Sequence, residues 1–141
     1  MKNKYFKTLV LLITFLLTIS ISATGQVRKF KSTSYSYMYK INEYRWSDWS
    51  ESTESSVLIT LYLNNERITI YSATKQVYDI AEYEGETTDD DGDDFFSFFC
   101  VNNEGLTCRV RLAKLNSQGG RNQFYIDFSD MRWVYNVYTL D

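Results

Sequence analysis

The sequence predicts an all-β protein, a single antiparallel meander of about eight strands that forms a small barrel or a two-layer sandwich after a cleaved signal peptide. Three observations carry that expectation. Short runs rich in Val, Ile, Thr, Tyr and Phe alternate between apolar and polar residues, and turn-forming residues separate them. Residues 26–141 hold 11 Tyr, 7 Phe and 3 Trp and no Pro, a composition that favours strands over helices. No segment carries the apolar stripe of an amphipathic helix.

At the N-terminus Lys2, Lys4 and Lys7 precede the apolar run Leu9 to Ile21, and the small residues Ser22, Ala23, Thr24 and Gly25 follow it. This is the pattern of a secretory leader. As a helix the run would rise about 20 Å, well short of the roughly 30 Å hydrocarbon core, so it reads as a signal peptide rather than a retained anchor. Cleavage after Gly25 divides the chain into a signal peptide, residues 1–25, and one all-β domain, residues 26–141. The expected product is exported and soluble, periplasmic or extracellular, with no transmembrane anchor after cleavage.

Of the 15 Lys and Arg, three lie before residue 26, whereas all 18 Asp and Glu lie after it, so residues 26–141 carry a formal charge of −6. A surface of that sign argues against nucleic acid as a partner. The chain has no His, which rules out Ser-His-Asp and Cys-His catalysis.

The first strand spans Arg28 to Ile41, with Tyr35, Tyr37, Tyr39 and Ile41 on one face. A polar loop, residues 43–56, follows and contains Tyr44, Trp46 and Trp49. Strands at 57–63 and 67–72 form a hairpin in which a two-residue Asn64-Asn65 turn pairs Leu61 with Ile68 and Ile59 with Ile70. A fourth strand at 76–83 has two competing inward faces, Val77, Ala81 and Tyr83 against Tyr78 and Ile80. Phe95 to Lys114 forms the next hairpin. Asn102-Asn103-Glu104-Gly105 suits a type I turn closing on a left-handed Gly, which sets Cys100 opposite Cys108, Phe98 opposite Val110 and Phe96 opposite Leu112. The last two strands, 123–128 and 131–138, turn at Ser129-Asp130 and pair Ile126 with Trp133 and Phe124 with Tyr135.

Cys100 and Cys108, facing each other in an exported chain, are expected to form a disulfide worth ~2.6 kcal/mol in the chain-entropy model. Residues 82–94 hold a dense run of acids, among which Asp89, Asp91, Asp93 and Asp94 could offer oxygens to a hard cation such as Ca²⁺. The run does not fit an EF-hand. With Gly92 in the glycine slot, the first and last ligand positions fall on Thr87 and Phe98. The competing reading is a solvated, mobile loop.

Phe95, Phe99 and Val101 point away from the cysteine face, so this strand is apolar on both sides. Either the loop bearing Tyr44, Trp46 and Trp49, or another part of the fold, covers that outer face, or the five residues Trp46, Trp49, Phe95, Phe99 and Val101 form a partner surface. Catalysis would have to rest on carboxylates, and outside the acidic run the strands offer chiefly Asp79 and Asp127. The function expected is therefore binding or interaction with a protein, a glycan or an apolar ligand. The alternatives are a carbohydrate-active secreted hydrolase using carboxylates and a cation-stabilised structural module.

Overall fold

The computed structural model describes residues 26–140; the expected leader lies outside the described residues. The strands in chain order are β1 (Val27–Asn42), β2 (Arg45–Trp46), β3 (Thr53–Glu54), β4 (Leu58–Tyr62), β5 (Arg67–Ile70), β6 (Gln76–Thr88), β7 (Asp94–Asn102), β8 (Thr107–Leu115), β9 (Arg121–Asp127) and β10 (Met131–Leu140). A short 3₁₀ turn, Asn116–Gln118, joins β8 to β9. From β4 to β10 each strand pairs antiparallel with the next, β4 pairs β1, and β10 returns to β1 from Lys29↔Leu140 to Tyr39↔Met131. The meander is thus an eight-stranded barrel rather than a sandwich. Closure removes the free sheet edges that a sandwich would leave. Among the described residues no helix is long and apolar enough to cross a membrane.

An eight-stranded barrel has an interior that side chains can fill. Here Phe30, Ile59, Ile68, Ile70, Val110, Phe124 and Ile126 do so, each at most 2% exposed. Phe30 of β1 and Phe124 of β9 meet edge to face with ring centroids 4.9 Å apart. All three hairpins take the register that alternation and turn chemistry predict: Leu61↔Ile68 and Ile59↔Ile70, Phe98↔Val110 and Phe96↔Leu112, Ile126↔Trp133 and Phe124↔Tyr135. The β7–β8 turn is as read from its residues: Gly105 sits at φ 81° and its N–H donates to the Asn102 carbonyl. In the β4–β5 turn the register holds but the conformation differs, since Glu66, not an Asn, takes the left-handed position at φ 50°.

Three irregularities break strict alternation between strands of the barrel. In β1 the register shifts between Ser32 and Ser34, so Phe30 and Ser32 point inward before the slip and Tyr35 joins the core after it. In β6 the register shifts between Ile80 and Glu82 and again between Tyr83 and Gly85. Tyr78 and Ile80 face the core before the first shift, and Tyr83, cross-strand from Phe98 with ring centroids 5.2 Å apart, joins that face after it. The two competing faces of this strand are therefore both used, one on each side of a bulge. β6 also continues to Thr88, through part of the acidic run expected to be loop.

The connection from β1 to β4 runs back along β1 and completes its edge with serines. Ser47 N–H donates to the Tyr39 carbonyl while Tyr39 N–H donates to Ser47 Oγ, and Ser50 repeats the exchange with Tyr37. Further along, β3 pairs with Ser34 and Tyr35, and buried Ser32 Oγ accepts from Val57 N–H at 2.8 Å. A stretch expected to be loop thus makes strand-like hydrogen bonds, and two short pieces of it, β2 and β3, are strands paired with β1.

The expected disulfide is not formed. Cys100 and Cys108 are direct cross-strand partners, both buried and both free thiols. The cause lies in the alternation of antiparallel pairs. Asn102 N–H donates to the Leu106 carbonyl, which makes 102/106 a hydrogen-bonded site, and two residues on 100/108 is another. In such wide pairs the Cβ atoms stand about 5.5 Å apart, beyond the roughly 3.5–4.5 Å that a disulfide spans.

Candidate functional site

A cavity of about 500 Å³ opens at the end of the barrel where the β6–β7 hairpin projects. Its origin is a mismatch in strand length. β4 and β5 have five and four residues, and β5 leaves β6 at Arg67↔Asp79. β6 and β7 run on together for nine more β6 positions, to Thr88↔Asp94, and β8 keeps pace with them to Leu115. Inward-facing side chains on this overhang therefore have no strand of the β4–β5 hairpin opposite them. Leu61, Leu63, Ile80, Ala81, Tyr83, Phe96, Phe98 and Leu112 form the walls, and Arg28, Glu66 and Glu82 supply its charged lining residues.

Glu66 has a special place in this rim. Its left-handed backbone is costly for a residue with a Cβ, and its carbonyl accepts the Ile80 N–H at 2.7 Å, the link between the β4–β5 turn and β6 where the two strands part. None of Arg28, Glu66 and Glu82 takes part in an ion pair among the described residues. Glu84, nearby on β6, is held instead. Arg109 Nε donates to its Oε1 at 2.7 Å and Nη2 to its Oε2 at 3.0 Å, which lowers the Glu84 carboxyl below its ordinary range.

The aromatic residues singled out from the sequence separate into two groups. Trp46 lies against the Arg132 guanidinium, 4.4 Å from ring centroid to Cζ, and Trp49 meets the Tyr125 ring edge-on at 6.3 Å. Arg111 continues the line, its guanidinium 4.5 Å from the Tyr125 centroid and 5.7 Å from that of Phe95. Arg111 also donates to Asp127 Oδ2 at 2.7 Å. Trp46 and Trp49 thus reach β9 and β10 rather than β7. Phe99, cross-strand from Arg109, is 36% exposed, and Val101, opposite Thr107, is half-buried.

The acidic turn is ordered by its own donors rather than loose. Asp89 Oδ1 accepts the N–H groups of Asp91 and Asp93, and Asp89 N–H donates to the Asp93 carbonyl. Asp93 is buried, and its two oxygens accept the N–H of Ser117 at 2.8 Å and its hydroxyl at 2.9 Å. Asp94 accepts from Thr88 and Asn116. Asp89, Asp91 and Asp93 bring carboxylate oxygens within 4.8 Å of one another, but the oxygens of Asp93 and one of Asp89 already serve the turn itself.

The two strand carboxylates considered for catalysis do not face each other. Asp79 pairs with Arg67 at 2.8 Å on the outside of the barrel, and Asp127 with Arg111. The cavity itself was not anticipated from the sequence. The available signal was arithmetic: Phe96 and Leu112 extend the inward face of β7 and β8 beyond anything that the short β4–β5 hairpin can oppose. Comparison of this chain with models of protein families, with curated proteins and with solved structures finds no match.

Proposed function

We propose that this protein is an exported binding module that takes up a small apolar ligand at the open end of its barrel. The observation that carries the reading is the contrast within one barrel: the interior around Phe30 and Phe124 is filled, whereas the end beneath Phe96 and Leu112 is a largely apolar cavity of about 500 Å³. That volume falls in the range of about 300–1,000 Å³ typical of small-molecule sites, and barrels of eight strands are wide enough to hold one such ligand. Export rests on the leader-like composition of residues 1–25. Binding is favoured over hydrolysis because Asp79 and Asp127 are each engaged by an arginine, away from the cavity, and the carboxylates among its lining residues, Glu66 and Glu82, are exposed rather than a buried facing pair.

Titration with Nile red, a neutral solvatochromic dye, tests the proposal. Saturable enhancement with a blue shift is expected for residues 26–141, and Leu112→Trp, which puts an indole into the cavity, should abolish it while the β-sheet circular dichroism persists. Absence of saturable binding by the folded wild-type domain would overturn the reading.

A further inference from the structure

We infer that the ligand of this cavity is an apolar cation, such as an amine or quaternary ammonium carrying a hydrocarbon or aromatic body; the inference rests on the binding role proposed above. Charge at the mouth is the first ground. Glu66 and Glu82 are among the residues that line the cavity, against the one cation Arg28, and of the two Glu82 stands cross-strand from outward-facing Phe99, so its carboxylate belongs to the outer face. Glu86 stands directly cross-strand from Phe96, a cavity wall, and residues opposite one another in an antiparallel pair share a face of the sheet. The register therefore adds to Glu66 a second carboxylate on the cavity side of the overhang.

The second ground is the field in which the mouth sits. Beyond the cavity the same β6–β7 hairpin carries Asp89, Asp90 and Asp91, all exposed and none in an ion pair among the described residues. Residues 26–141 as a whole carry −6. A low-dielectric hollow whose surroundings carry more negative than positive charge concentrates cations at its entrance and disfavours anions there. Third, the walls include three aromatic rings, Tyr83, Phe96 and Phe98, whose negative faces attract a cation once water is displaced. An anion would meet Arg28 but would also face Glu66 and Glu86. A neutral ligand would use the walls and leave the rim groups to water.

A head-group series separates these cases. Dodecyltrimethylammonium, dodecyl maltoside and dodecanoate share a hydrocarbon tail, and each can be titrated below its micellar concentration by isothermal calorimetry. The ammonium compound is expected to bind at least about tenfold more tightly than the carboxylate at low ionic strength, the scale of one to two partly exposed charge contacts, with the gap closing in high salt. The double variant Glu66→Gln with Glu86→Gln should bring the ratio of ammonium to carboxylate affinity towards one. Binding of the maltoside with no preference for the ammonium over the carboxylate would overturn the cation inference and leave the apolar site standing. Binding of none of the three would overturn both. Should the variant fail to fold, the wild-type affinity ratio and its salt dependence decide the matter.

Discussion

Cys100 and Cys108 face each other across β7 and β8 with both thiols buried and unjoined. Burial pushes the Cys100 thiol up from 9.0 to about 12 and the Cys108 thiol up to about 11. The unfolded chain therefore loses these protons near pH 9 while the folded chain keeps them, so their contribution to stability is intact below that pH and declines as pH rises towards 11 and 12. Burial raises Tyr78, Tyr125 and Tyr135 as well, which steepens the decline. Melting temperature against pH should fall from about pH 9, and the Cys100→Ala, Cys108→Ala double variant should delay that onset to the tyrosine range near pH 10. Thiol titration should find both groups slow in the native protein and both reactive in denaturant; no reactive thiol in denaturant would show that the pair had oxidised.

Phe124 is fully buried against Phe30, on the strand two places from β1 around the barrel. Phe124→Ala should cost about 3–5 kcal/mol, the scale for removing a large ring from a packed core. The urea midpoint should fall accordingly with an unchanged slope.

Ser47 and Ser50 exchange hydrogen bonds with Tyr39 and Tyr37 and so hold the strip that carries Trp46 and Trp49. Each change to Ala should cost about 0.5–1 kcal/mol. The double variant should also shift Trp emission to the red as Trp49 leaves Tyr125. Unchanged emission and unchanged proteolysis at residues 43–57 would show that the serines do not anchor this strip.

Glu66 holds its left-handed φ of 50° at the cavity rim. Glu66→Gly removes the Cβ conflict and should stabilise the domain by about 1 kcal/mol. The same change should weaken the binding of cationic ligands. A variant that is destabilised would show that the Glu66 side chain contributes more to folding than its backbone conformation costs.

Asp93 accepts two hydrogen bonds from Ser117 in a buried setting, and Asp93→Ala should cost about 2 kcal/mol. Because those oxygens and one of Asp89 are committed to the turn, millimolar Ca²⁺ should leave the wild-type melting temperature unchanged. A rise in the midpoint would instead establish a cation site at Asp89, Asp91 and Asp93.

Alternation and turn chemistry, both local, were enough to determine the all-β class, the antiparallel meander, and the registers of the β4–β5, β7–β8 and β9–β10 hairpins. A one-residue slip in any of them would turn Ile68, Phe98 or Ile126 out of the core, so each register follows from the chain itself. Barrel closure through β1 and β10 was decided only by tertiary structure, because the two strands lie at opposite ends of the domain and neither sequence names its partner. So were the register shifts beside Ser32 and around Glu82 to Gly85, where curvature of the closed sheet outweighs strict alternation. The fate of the cysteines turned on whether their site is a wide or a narrow antiparallel pair, a parity that facing side chains alone do not reveal. The cavity arises because strands distant in sequence differ in length, leaving Phe96 and Leu112 without a strand to oppose them.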